Sequence, residues 1–389
     1  MRLHSVGGAL LARGHNVQFV SCAKTNEYLL RYFPGRVHEL FGLFTVYREG
    51  RVEVWPTLAL NARRAWQSLI PANRSLRQLL RTFRPDLVIT DFEPFSAFWA
   101  RLHGIPFISL DNQHVLTHCT VDRPPGQTVD YLNAYWTIRL YYAGAKRYLI
   151  SSFFNAPVRH HPATVLPPII RPEVLRRDPS DGDYLLVYKG ANGDNEGFRR
   201  SIERYDRLPI HAYGFGLTGR VGHVSYRPVD PEAFLDDLAG CRAVVATAGH
   251  SLVCEAIHLR KPMLLLPILG QFEQTLNAAQ VQRLGYGRWC HEVTPETLSD
   301  WLAGLAGHRE ALSRAPRSNL DAVVEAVLRE LPASGGRNAW RGLDSTSNLD
   351  SPVPSMPRRP LNGNGHSRHR EAPGAASSTA SASGSGVHE

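Results

Sequence analysis

Short apolar runs recur along most of the chain and alternate with amphipathic stretches. In the first half they are Val17–Cys22, Asp86–Thr90 (DLVIT), Pro106–Leu110 (PFISL) and Tyr148–Phe153. In the second half they are Tyr184–Tyr188 (YLLVY), Ile210–Tyr213, Ala243–Thr247 (AVVAT) and Met263–Leu266. Runs of this length and continuity suit parallel strands covered on both faces. Helices are expected between them at Pro94–His103, Phe198–Tyr205, Pro231–Ala239, Ser251–Leu259 and Gln274–Leu284. Strand–helix alternation of this kind builds α/β domains with doubly wound sheets. The proline-rich stretch from Pro157 to Pro172 separates two such units. The expected boundaries are 1–165 for an N-terminal domain, 166–180 for a linker, 181–332 for a C-terminal domain and 333–389 for a disordered tail. The tail is rich in Ser, Gly, Pro and Asn and has too little apolar surface to offset its ordering entropy.

The beginning departs from the pattern. A helix, Arg2–Leu11, feeds the strand at Val17 with no strand before it. A doubly wound half ordinarily opens on a strand and a Gly-rich turn. We therefore expect the sequence as given to lack a first strand and its loop, which would leave unpaired backbone groups at the centre of a sheet.

Composition narrows the possibilities. The chain has 389 residues, 43% apolar and 20% charged, which is ordinary globular usage and fits about two domains. Its net charge of +9 arises from 44 basic and 35 acidic residues. Only Lys24, Lys146, Lys189 and Lys261 are lysines, and the arginines are scattered, so the charge points away from nucleic acid. The five cysteines, Cys22, Cys119, Cys241, Cys254 and Cys290, are far apart and form no C-x-x-C pair. They read as reduced thiols of a cytoplasmic protein. Apolar runs such as Met263–Leu269 are too short to span a bilayer, and the N-terminus has no signal-peptide core.

The richest stretch is Ala246–Asn277, ATAGHSLVCEAIHLRKPMLLLPILGQFEQTLN. A strand ends at Thr247, and the turn Ala248-Gly249-His250-Ser251 opens a helix. A helix start offers free N–H groups and about half a positive charge to an anion. Gly249 lets the backbone approach closely, and Ser251 can cap the helix or donate to phosphate. Glu255 follows one turn on, within reach of a ribose diol. The next strand ends in the polar loop Gly270-Gln271-Phe272-Glu273-Gln274, with Asn277 in the following helix. Carboxylates and amides there can hold sugar hydroxyls.

This segment resembles the donor-binding signature of nucleotide-sugar glycosyltransferases of the GT-B fold. It is similar to the group of the lipid-linked peptidoglycan N-acetylglucosaminyl transferase and the UDP-glycosyltransferases, some microbial members of which carry G-Q-F-E-Q-x-x-N text. The resemblance is good over about Asp183–Gly287 and looser over the N-terminal half. It implies two Rossmann-like domains facing a cleft and inverting, metal-independent transfer from a UDP-sugar to a hydroxyl. The nucleotide sugar is then a co-substrate, and no cofactor is implied. By this likeness Gly249, His250 and Ser251 sit on the diphosphate and Glu255 on the ribose. Gln271, Glu273, Gln274 and Asn277 sit on the sugar and nearby groups. The N-terminal domain becomes the acceptor side. The same families carry G-x-G-H-x-x-R at the first strand–helix turn, and Arg2 takes the place of that arginine. The glycines and the histidine would lie upstream of Met1.

The N-terminal half offers two further loops at strand ends. Asp91-Phe92-Glu93-Pro94 follows the strand Asp86–Thr90, and Asp111-Asn112-Gln113-His114 follows Pro106–Leu110. Asp91 and His114 are the candidate proton acceptors for an incoming hydroxyl. The bland alternative is that Asp91 caps the helix at Pro94 and His114 serves its loop. His160-His161 beside Arg159 is not expected to hold a metal. The stretch Asn61–Arg84 interleaves arginines with Trp66, Leu69, Ile70, Leu76, Leu79 and Leu80. It reads either as packed helices or as a surface touching anionic lipid, which would suit a lipid-linked acceptor and peripheral contact with the inner face of a membrane. Two alternatives stay open: a nucleotide-sugar epimerase on the same fold, and an inactive nucleotide-sugar-binding remnant.

Overall fold

The apolar runs become two sets of parallel strands in a computed structural model that describes residues 2–39, 47–48, 51–52, 59–60, 76, 78–141, 143–189 and 195–332. The tail 333–389 lies outside the described residues, as does the basic stretch from 61 to 75.

In the N-terminal half, helix α1 (Arg2–Ala12) leads into strand β1 (Phe19–Ser21). Helix α2 (Ala23–Tyr32) then crosses to β2 (Val37–Glu39), which pairs with β1 in parallel. A short antiparallel pair, β3 (Tyr47–Arg48) and β4 (Arg51–Val52), follows. The main sheet of this half has the order β5-β6-β7-β8, all parallel. Its strands are β5 (Val88–Thr90), β6 (Phe107–Asp111), β7 (Arg147–Ser151) and β8 (Ala163–Leu166). Helix α3 (Pro94–Leu102) joins β5 to β6. The single turn α4 (Val115–His118) and the longer α5 (Thr128–Tyr141) join β6 to β7. The short α6 (Pro172–Leu175) lies beyond β8.

The C-terminal half is built on one sheet of order β11-β12-β10-β9-β13-β14-β15, parallel except for the edge pair β11·β12. Its strands are β9 (Leu185–Tyr188), β10 (Ile210–Tyr213), β11 (Gly219–Val221), β12 (Val224–Arg227), β13 (Ala243–Ala246), β14 (Met263–Leu265) and β15 (Gly287–Trp289). Its helices are α7 (Asn195–Arg204), α8 (Pro231–Gly240), α9 (His250–His258), α10 (Phe272–Arg283), α11 (Pro295–Ala303) and α12 (Leu305–Ser313). β13 and β14 are buried at every position, which explains their uninterrupted apolar text. Helix α13 (Leu320–Leu328) ends the described chain.

Two expected boundaries need correction. The linker was expected at 166–180, yet β8 runs through Leu166 and lies within the Pro157–Pro172 stretch, completing the N-terminal sheet against β7. The prolines bracket the strand and do not interrupt it, so the apolar text of Ala163–Leu166 is free to pair. The C-terminal domain was expected to run to 332, but α13 returns to the other half. Its Val323, Val324 and Val327 join Val6 and Leu10 of α1 in a core with Ile108, Leu110 and Leu149 of the N-terminal sheet. An apolar helix face needs a partner, and here the partner is α1.

Between β1 and β5 lies a slot of about 370 Å³. Phe19 and Val20 line one side, Val88, Ile89 and Thr90 the other. Leu3, Val6 and Leu10 of α1 contribute to its wall, as do Leu79, Leu80, Phe83 and Trp99. Among the described residues β1 pairs only with β2, and β5 only with β6. Helix α1 crosses β1 so closely that a Cβ on Gly7 would stand 2.4 Å from the Phe19 ring, so any larger residue there would have to displace that buried ring.

Candidate active site

The ends of β13 and β14 carry the loops expected to bind a ligand. β13 gives way to Thr247, Ala248 and Gly249, and Gly249 is the N-cap of α9. Asn277 is buried in α10 and donates from Nδ2 to the Ala248 carbonyl at 3.0 Å, which pins this turn from beside it. In front of Gly249 the space is open: an added Cβ would meet nothing within 4 Å. Ser251 is exposed at the helix start. His250 is 7% exposed, with Nε2 3.3 Å from the Cys254 sulfur. Its Nδ1 has no partner among the described residues. Burial, aided by the Arg2 charge, pushes this imidazole down to about 3, so it is neutral at ordinary pH.

This depression has a measurable consequence. The unfolded chain takes up the His250 proton near pH 6.5, whereas the folded chain resists until about 3. The stability held in the neutral ring is therefore complete above about pH 6.5 and is lost as pH falls toward 3, at up to ~1.4 kcal/mol per pH unit. His118, lowered to about 4 mainly by burial, adds to the same slope. Melting temperatures between pH 7 and 4 should fall steeply, and His250→Gln should flatten the fall; an unchanged slope in that variant would refute the assignment.

Helix α10 opens on Gln271 as N-cap. Gln274 accepts from the Ile268 amide at 3.1 Å and donates to the Gln271 Oε1 at 2.6 Å. These two amides brace the loop and present Glu273 beside it. Glu273 is half-buried and accepts a hydrogen bond from Nδ2 of Asn112 at 2.9 Å, across from the other half of the molecule. Burial pushes its carboxyl up, while Asn112 and Arg2 oppose that push.

On the N-terminal side the guanidinium of Arg2 is the hub. Its Nε and Nη2 donate to Oδ1 of Asp91 at 3.0 and 2.6 Å, and Nη1 donates to Oδ1 of Asn112 at 2.7 Å. The structure thus gathers Asp91, Arg2, Asn112 and Glu273 into one polar cluster. Glu93, the other acid of the first loop, is the true cap of α3, accepting from Phe95 and Ser96 N–H at 2.7 Å each. His114 is not in the cluster. It is 2% exposed, with Nδ1 2.8 Å from Oδ2 of Asp111 and its ring against Tyr148 and His118. Burial works to raise Asp111, but His114 and the Ser109 hydroxyl bring it down to about 2. The pair secures the turn from which Asn112 projects.

Glu255 stands apart as well. It is 5% exposed, and Arg171 takes both oxygens, Nε on Oε1 at 2.8 Å and Nη2 on Oε2 at 3.1 Å. Sequence reasoning missed Arg171, which sits just before α6 with no local pattern to mark it. Asn112 stood within the quoted Asp111–His114 loop, but its amide gave no hint of a partner 161 residues away. Among the described residues no group of three or more His, Cys, Asp or Glu is placed to hold a metal ion.

Comparisons place this geometry in context. Residues 2–306 match the pattern of glycosyl transferase family 1. A UDP-N-acetylglucosamine–N-acetylmuramyl-(pentapeptide) pyrophosphoryl-undecaprenol N-acetylglucosamine transferase of Staphylococcus haemolyticus is 33% identical over 142 residues, covering 33% of this chain and 40% of the relative. The chain thus matches about two fifths of that relative's length. An uncharacterised glycosyltransferase of Methanosarcina mazei is 22% identical over 76% of this chain and 83% of its own. Among solved structures, the kitacinnamycin glycosyltransferase superposes with a TM-score of 0.60 at 18% identity, over 85% of this chain and 95% of its own. Acinetobacter baumannii MurG superposes with a TM-score of 0.53 at 16% identity, over 84% and 95%. The fold is GT-B. With its two parallel-sheet halves and a family match across both of them, the chain belongs to glycosyl transferase family 1.

Proposed function

We propose that this protein moves a sugar from a UDP-sugar to a hydroxyl acceptor, with inversion and without a metal. The observation that carries the reading is the start of α9: open space at Gly249, an exposed Ser251 and a neutral, buried His250 whose Nδ1 has no partner among the described residues. The acceptor oxygen attacks the anomeric carbon as the bond from that carbon to the diphosphate oxygen breaks. The electron pair leaves with the diphosphate, and the hydroxyl proton passes to Asp91. The α9 amides meet the growing charge, a role that elsewhere falls to a cation. Arg171 fixes the Glu255 carboxylate that is assigned to the ribose. Glu273 and the braced Gln271–Gln274 loop are assigned to the sugar. His114, locked on Asp111, serves the turn behind Asn112. The Staphylococcus relative's name favours a lipid-linked acceptor, which peripheral contact with an anionic membrane would serve.

The test is direct. Calorimetry with UDP should show binding, and assay with a panel of UDP-sugars should show a transferred sugar; an isomerised sugar nucleotide would favour the epimerase reading. Gly249→Val places methyl groups where the diphosphate is assigned. An added Cβ meets nothing and the backbone, at φ −64° and ψ 130°, accepts any residue, so the fold should persist with at most the loss of about 1 kcal/mol expected of a poorer N-cap. UDP affinity should fall at least tenfold. Undiminished affinity would remove the diphosphate from this turn.

A further inference from the structure

We propose that Asn112, oriented by Arg2, is a positioning residue that holds Glu273 as a hydrogen-bond acceptor for the donor sugar, so that sugar recognition in the C-terminal half depends on the N-terminal half. The inference rests on the assignment of Glu273 to the sugar. Three side chains from three separate elements meet here: Arg2 in the first turn of α1, Asn112 after β6, and Glu273 in the first turn of α10. A guanidinium can only donate. The Asn112 oxygen must therefore face Arg2, at 2.7 Å, and its NH₂ group must face Glu273, at 2.9 Å. An NH₂ group seeks an acceptor, and an ionised carboxylate is acceptor-only. Arg2 is itself anchored by two bonds to Asp91, so its orientation is fixed independently of Glu273. The order of groups is carboxylate, guanidinium, amide, carboxylate. Each member dictates the polarity of the next.

Asn112 is 4% exposed, so water does not substitute for it. Burial alone would favour the protonated form of Glu273, which would donate from one oxygen. The Asn112 amide, the nearby guanidinium and the Gln113 side chain work toward the form that accepts at both, against a net upward push from burial. Asn112 holds Oε1 and the Gln113 side chain also donates to this carboxylate, whose remaining lone pairs can accept from a sugar hydroxyl. Asp111 also lies close and opposes ionisation, but it is held by Ser109 and His114.

The test compares UDP with UDP-sugars on the full chain, by calorimetry and by steady-state kinetics with the sugar that binds best. UDP lacks the sugar, so Asn112→Ala should leave its affinity within twofold. The KM for the UDP-sugar should rise about tenfold or more. Asn112→Asp should be worse than Asn112→Ala because it sets two carboxylates together, whereas a merely structural role predicts the reverse. Adding Glu273→Gln to Asn112→Asp restores a donor–acceptor pair and should recover part of the loss. Equal effects on UDP and UDP-sugar, or no recovery in the double variant, would overturn the inference. Failure of the unmodified chain to bind UDP would instead overturn the proposed function. If UDP bound but no UDP-sugar bound differently from it, Glu273 would lose its sugar role, and Asn112 with it.

Discussion

Asp91→Asn lowers turnover by about 10²–10⁴-fold if the carboxylate takes the acceptor proton, the range expected when a general base is removed. The substitution is close to isosteric. An asparagine oxygen still accepts from Arg2, so the two bonds that Oδ1 now receives can persist and the turn after β5 keeps its shape. What disappears is the charge and the basic lone pair on Oδ2. UDP affinity should be unaffected, because the diphosphate is assigned to the α9 turn in the other half. The discriminating measurement is kcat alongside UDP affinity on the same preparation. A normal kcat would exclude Asp91 as the base, and a parallel loss of UDP binding would point to a disturbed cleft.

The second large effect lies at Arg171. Its ion pair with Glu255 has both side chains about 6% exposed, so neither charge can fall back on water. Arg171→Met should lower unfolding free energy by about 3–5 kcal/mol, the usual consequence of stranding one buried charge. Burial already pushes the Glu255 carboxyl upward, with Arg171 pulling against it, and without the arginine the group would titrate closer to neutral pH. Replacing both partners, Arg171→Met with Glu255→Met, removes the stranded charge and should restore most of the stability, but UDP affinity should stay weak if Glu255 holds the ribose. Urea unfolding and UDP calorimetry on the three proteins separate the two roles. If the single and double variants lose the same stability, the pair is not the source of the loss.

Much of this was legible in the chain because the physics was local. Fully covered parallel strands announce themselves as apolar runs, and β5, β6, β9, β13 and β14 fall where the text is apolar. The helix starts of α9 and α10 could be placed because their turn residues are consecutive in the chain. The misses have two causes: misleading local text, as at β8 and α5, and partners distant in sequence. β8 went unread because flanking prolines outweighed four apolar residues. Helix α5 went unread because its exposed face carries Val129, Leu132, Trp136 and Leu140, which erases the amphipathic contrast. Nothing in the text of α13 says that it returns to α1. The Arg171–Glu255 pair spans 84 residues, and the Asn112–Glu273 bond spans 161. Asp91 and Glu93 could not be ranked from sequence, since either acid suits a helix start; only the geometry shows that Glu93 is the cap.

The slot between β1 and β5 bears on how the N-terminal half comes apart. Among the described residues no ladder joins the two, and the β1–β2 ribbon meets α1 where the Phe19 ring packs on the backbone at Gly7. Side-chain contacts loosen one at a time, whereas a ladder yields as a block. A two-stranded ribbon is also marginal by itself. In the chain as given, the β1–β2 amides are expected to trade with solvent before those of β6 and β7, whereas α1, which carries Arg2 into the polar cluster, packs with α13 on the main sheet.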